Sequence, residues 1–128
     1  MSALDQLEFE LPSVEYQEVP RARAAARGWC STAGVNGDTE AVLLVLTELL
    51  GNAVRHARRP VTVRLEARPT VIRIEVCDGS RDRPTPRSTG SGASDGRGLA
   101  IVDAVTACHW GSERSEHGKM VWAEVTRR

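Results

Sequence analysis

The chain has 128 residues, 41% hydrophobic and 27% charged, enough for one packed domain and too few for two ordinary ones. Its 17 basic and 17 acidic side chains cancel, which removes any reason to expect nucleic acid or an anionic membrane as a direct partner, since both select a basic face. No apolar run approaches the roughly 20 residues of a membrane span. The N-terminal MSALDQLEFE lacks the basic and apolar regions of a secretory signal, so a cytoplasmic protein is expected.

Residues 6–11 (QLEFEL) alternate apolar and polar, the pattern of a short edge strand. Pro20 then opens an Ala- and Arg-rich helix expected to stop near Gly34, and Asn36-Gly37 marks a turn. Asp38 is placed to cap the strongest helix in the chain, whose Val42, Leu46, Leu49, Leu50, Ala53 and Ala57 recur at helical spacing. Arg58, Arg59 and Pro60 end it with positive charge and a breaker.

Two alternating runs follow, Val61–Ala67 and Val71–Val76, joined at Pro69-Thr70 as an antiparallel pair with one buried face. Residues 79–98 are rich in Gly, Ser, Pro, Asp and Arg and read as a long irregular loop. Leu99, Ile101, Val102, Val105 and Ala107 then give a third helix, and Cys108, Trp110, Val121, Trp122 and Val125 fall in a closing hairpin. Trp110 and Trp122 are most simply sheet core, and Trp29 helix packing. This order predicts an α+β two-layer sandwich, its sheet mixed but mostly antiparallel and its helices on one face.

Cys30, Cys77 and Cys108 are odd in number and widely spaced, which fits neither a disulfide framework nor a zinc site. Three reduced, partly buried thiols are expected. His56 is assigned to packing or to the phosphate side of a ligand, and His109 and His117 to the surface.

Three segments carry chemistry. In Glu48-Leu49-Leu50-Gly51-Asn52, a carboxylate and an amide four residues apart share one side of a helix, where they can hold a water, a hydroxyl or a hard cation such as Mg²⁺. Gly51 is a costly helix-interior residue, which suggests close packing there. Asp78, at the end of the second paired strand, can accept from an exocyclic amine such as adenine's. Gly96-Arg97-Gly98, leading into a helix that starts at Leu99, offers backbone N–H groups and a guanidinium to phosphate. Each has a plainer reading alone: a solvated helix face, an ordinary turn, and a flexible loop–helix junction. The Walker-A lysine and the dinucleotide fingerprint are both missing.

Taken together, the three resemble the GHKL (Bergerat-fold) ATPases, and most of all the stand-alone anti-sigma-factor serine/threonine kinases and related actinobacterial regulators. The resemblance runs from the N-terminal strand to Gly118-Lys119-Met120-Val121-Trp122-Ala123-Glu124. It implies one ATP-binding domain over 1–128, with a flexible lid about 79–98. By the family pattern Asn52 coordinates Mg²⁺, Glu48 is the general base, Asp78 binds the adenine amine, and Gly96, Arg97, Gly98 and the helix start at Leu99 meet the phosphates. Two positions depart from that pattern: Ser80 stands where a second glycine is usual, and Met120 is matched to a threonine that supports the aspartate. The lid's Arg81, Asp82, Arg83, Arg87, Ser88 and Thr89 are expected to order when a triphosphate binds.

The resemblance implies an ATP-dependent protein kinase that phosphorylates an anti-anti-sigma-type antagonist, or a protein that sequesters a sigma factor. The alternative is a degenerate ATP-binding module that acts through protein–protein contact alone. A histidine autokinase is disfavoured, because the helical hairpin carrying an acceptor histidine is not among these elements. Relatives often form homodimers, although nothing in the helix patterns demands it.

Overall fold

The computed structural model describes residues 5–12, 17–56, 60–78, 93–115 and 118–128; for 54–56, 93–98 and 115 it describes the backbone only. The elements run β1 (Gln6–Leu11), α1 (Glu18–Thr32), a single 3₁₀ turn (Asn36–Asp38), α2 (Thr39–His56), β2 (Val61–Ala67), β3 (Val71–Asp78), α3 (Ala93–Thr106), β4 (Trp110–Ser115) and β5 (Gly118–Thr126).

The strands form one sheet in the order β1-β2-β3-β5-β4, with β1 at an edge as its alternation predicts. All four pairings are antiparallel, so the sheet is not mixed. The reason lies in the last hairpin. Crossover through α3 leaves β3 and β4 pointing the same way, but β5 lies between them and pairs with both, so no parallel ladder forms.

The sheet's inner face and the helices share one core. Val61, Val63 and Leu65 of β2, Ile72, Ile74 and Val76 of β3, and Val121, Ala123 and Val125 of β5 are all buried in it. From α2, Val42, Leu46, Leu49, Leu50 and Ala53 supply the predicted stripe; Ala57 lies outside the described residues. Burying such side chains contributes roughly 1.5–3 kcal/mol each before the cost of ordering the chain. Trp29 and Trp110 join this core as expected.

The local rules show at the helix ends. Pro20 sits in the first turn of α1, where its missing N–H costs nothing, and the chain leaves that helix through Gly34 at φ 75°. Arg23 donates to the Thr47 hydroxyl at 2.5 Å, and that hydroxyl donates to the Leu43 carbonyl at 2.7 Å, tying α1 to α2. Asp38 stands directly ahead of α2, but its buried carboxylate also has a distant partner: it accepts the Arg128 backbone N–H at 3.1 Å.

The third helix begins earlier than its sequence suggests. Residues 93–98, read as the end of a loop, are helical backbone, and the rest of that segment, 79–92, lies outside the described residues together with Ser80 and the lid's arginines. Helical propensity of Ala93 through Leu99 is poor because of its two glycines, so nothing local announces this turn.

Trp122 corrects another expectation. Alternation along β5 turns Val121, Ala123 and Val125 inward and Trp122 outward, onto the sheet's open face. There the Arg73 guanidinium lies 4.6 Å from its ring centroid. Arg73 also donates to Glu75 at 2.7 Å and to Glu124 at 3.1 Å, while Arg64 reaches Glu8 at 2.8 Å and Glu75 at 3.0 Å. Arg68 joins Glu66 to Glu124. The open face is thus a ladder of opposite charges, as cross-strand pairing favours. The three thiols are free, but only Cys30 is buried; Cys77 is half-buried and Cys108 exposed. Burial pushes the Cys77 thiol up, and neighbouring Glu75 adds to the effect.

Candidate nucleotide site

The predicted site residues sit on elements that converge at one end of the sheet. Four residues separate His56, the last of α2, from Val61, the first of β2. The next residue, Thr62, is in register with Cys77, one position short of Asp78. The last turns of α2, which carry Asn52, therefore lie at the same end of the sheet as the end of β3. The hairpin from β4 to β5 closes there too, with Ser115 opposite Gly118 and Asp78 opposite Lys119. The chain leaves this end after Asp78, enters α3, and returns to the sheet at Trp110, in line with Ala123 and Ile74 further back along the strands. Trp110 Nε1–H donates to Asp103, pinning that far end of α3 to β4.

Burial separates the residues by role. Asn52 is 2% exposed, and its Oδ1 is a buried acceptor with no hydrogen-bond partner. A buried amide oxygen left this way costs about 1–3 kcal/mol, so a ligand or ion that engaged it would recover a real penalty. Glu48, one turn earlier, is half-buried, at the border between the α2 stripe and solvent, and Gly51 beside it is also half-buried. Asp78 continues the inward series Ile72, Ile74, Val76 and is buried at the strand's end. A carboxylate placed there is not a surface turn residue.

The earlier start of α3 alters the phosphate end. Only the first four N–H groups of a helix lack an internal partner. In a helix that begins at Ala93, these end at Asp95, so the N–H groups of Gly96, Gly98 and Leu99 all fall within the helical ladder. Leu99 itself is 2% exposed, so its side chain is packed rather than presented. The side chains of Arg97 and His56 lie outside the described residues, as does all of His117; His109 is exposed.

Lys119 is the residue that sequence reading missed. It is 2% exposed, stands directly across from Asp78, and belongs to the inward set with Val121, Ala123 and Val125. Met120, matched above to a position supporting the aspartate, instead pairs with Cys77 and turns to the open face. That assignment is corrected: the inner neighbour of Asp78 on β5 is Lys119. The signal was present, since period-two alternation from Val125 back through Ala123 and Val121 places a lysine at an inward position.

Comparison with known proteins now decides the family. The model of the histidine kinase-like ATPase domain matches residues 13–125. The chain belongs to that family, within the GHKL superfamily. Among solved structures, it is similar to the catalytic domain of the histidine kinase ThkA in a nucleotide-free form, with a TM-score of 0.54 and 17% identity, over 94% of this chain and 97% of that one. No curated protein matches by sequence. Family membership makes this GHKL domain an ATP-binding regulatory module. Among the described residues no helix is long and apolar enough to cross a membrane, and no cluster of His, Cys, Asp and Glu could hold a metal ion.

Proposed function

We propose that this chain is an ATP-dependent protein serine/threonine kinase of the anti-sigma-factor type, acting in the cytoplasm on an antagonist protein. The observation that carries the reading is the buried, unpartnered Oδ1 of Asn52, one turn from a half-exposed carboxylate and at the same sheet end as Asp78. An amide oxygen is a fitting ligand for a hard cation, so Asn52 would hold the Mg²⁺ that accompanies ATP. Bound there, the ion supplies neutralisation of charge on the phosphate oxygens.

The chain's own residues do the rest. Asp78 accepts from the exocyclic amine of adenine and sets the base's orientation. The first turns of α3 meet the phosphates, with the unbonded N–H groups of its first three residues, the small Gly96 and Gly98 allowing close approach, and Arg97 bringing positive charge to that turn. Glu48 accepts the proton of a client serine as its oxygen attacks the γ-phosphorus. The bond from that phosphorus to the β–γ bridging oxygen breaks, and ADP leaves with the electron pair. Positioning and charge neutralisation provide most of the acceleration in such transfers, so a small set of groups is enough. The antagonist, or a sigma factor held without phosphorylation, is the partner this reading implies.

The test is incubation of the wild-type chain and Glu48→Ala with labelled ATP and candidate antagonists. Transfer by Glu48→Ala should fall by about two to four orders of magnitude. Equal transfer by both proteins would remove Glu48 from the mechanism. Nucleotide binding without any transfer by the wild type would leave a module that acts by binding alone.

A further inference from the structure

The edge strand β1 is covered on its inner side less completely than its neighbour. Leu7, Phe9 and Leu11 turn towards the core, yet Leu7 and Phe9 are only half-buried, whereas their register partners on β2, Leu65 and Val63, are fully buried. The difference is a missing strand: β2 is paired on both sides, and no described element pairs with the far edge of β1. Beside that edge, between β1 and α1, an open cleft encloses about 260 Å³, with Phe9, Leu11, Ala22 and Ala25 among its walls. Ala25 is exposed, so the flank of α1 leaves room for a further side chain.

An unpaired edge presents a row of N–H and C=O groups to any extended chain, and proteins commonly blunt such edges with lysine, proline or a bulge. From Gln6 to Leu11 there is no lysine or proline, and the register with β2 runs without a bulge. The strand carries acid instead. Glu8 is held by Arg64 at 2.8 Å, and Glu18, across the cleft, by Arg21 at 3.3 Å. Glu10 is exposed and has no ion-pair partner among the described residues. A second copy fits this edge badly. Two-fold antiparallel pairing of β1 with itself sets Glu8 against Glu8, or Glu8 against Glu10, in registers that use most of the strand, and like charges directly opposite are destabilising. The same acid favours a guest of opposite sign.

We propose that the outer edge of β1 docks an extended, basic segment of a partner protein as a sixth strand. Lysine or arginine of the guest stands opposite Glu8 and Glu10, and an apolar residue between them enters the cleft beside Phe9. Backbone hydrogen bonds hold the guest, and the alternation of basic and apolar residues selects it.

The probe is the capped peptide TKVRVKT, titrated into the full chain by fluorescence anisotropy. Its comparisons are TEVEVET and two forms of TKVRVKT N-methylated on alternate amides, one for each parity. TKVRVKT should bind about tenfold or more tightly than TEVEVET. Of the methylated forms only one should keep that affinity, since the amides of one parity face β1 and those of the other face solvent. Glu10→Lys should shift the preference towards TEVEVET, and Ala25→Gln, a good helix former at an exposed position, should weaken TKVRVKT about tenfold by filling the cleft. Equal binding of the two methylated forms, at any level, would reduce the contact to charge attraction and overturn the proposal. So would an unchanged preference in Glu10→Lys, wild-type affinity in Ala25→Gln, or a wild type that does not bind TKVRVKT. A wild type that sediments as a dimer, with the dimer lost in Ala25→Gln, would give the edge to a second copy and overturn it as well.

Discussion

The two faces of the sheet handle polar groups in opposite ways. On the open face every described arginine among Arg64, Arg68 and Arg73 meets two carboxylates, and Trp122 lies beneath one of the guanidinium groups. On the inner face, where an unmatched group is most costly, the Asn52 oxygen has no partner. Low dielectric makes an orphan acceptor expensive there, and under the proposed function the ion that accompanies ATP would satisfy it. Charge on the open face serves the fold; in the proposed function, polarity at the inner end serves a ligand.

Substitutions on the open face should therefore change stability and leave nucleotide binding alone. Arg73→Ala should have the largest effect, since it leaves Glu75, 8% exposed, with Arg64 alone, takes one of two arginines from Glu124 and removes the cover of Trp122. A loss of about 3 kcal/mol in unfolding free energy is expected from urea titration, with ATP affinity within twofold of wild type. A large loss of affinity would mean that the two faces are coupled. Gly111→Ala comes next. A Cβ at Gly111 would lie 3.1 Å from the Trp122 indole, a tight contact that the ring, held under Arg73, can relieve only by shifting a few tenths of an ångström, so about 1 kcal/mol should be lost in the same assay.

Acid should act on this face first. The Arg68 guanidinium holds the Glu66 carboxyl below the usual carboxylate range. Its folded-state value is depressed, so the stability it contributes is present above the unfolded value near 4.3 and is lost as pH falls through the folded one. Glu66→Gln should flatten the acid limb of stability against pH slightly, measured by thermal melts between neutrality and pH 3. An unchanged limb would show that the Arg68 pair is solvated and contributes nothing.

Much of this division could be read from the sequence, because alternation settles which face each strand residue takes. The β2 and β3 runs and the α2 stripe were legible for that reason, and with them the positions of Asn52 and Asp78. Three features were not. Trp122 looks like core by its type, and only its parity in β5, together with Arg73 across the sheet, turns it outward. The first turn and a half of α3 contain two glycines, so propensity argues against a helix that tertiary packing on α2 supports. Lys119 hides behind the familiar expectation that lysine is exposed, although its parity said otherwise.

The most direct test is calorimetric titration of ATP, with Mg²⁺ and with EDTA, into wild type and Asn52→Ala. If the amide oxygen is kept for the ion that accompanies the phosphates, wild type should bind ATP about a hundredfold more tightly with Mg²⁺ than without. In Asn52→Ala that dependence should vanish while the melting temperature stays at or above the wild-type value, because an unsatisfied buried acceptor has been removed. The same magnesium dependence in both proteins would contradict the account.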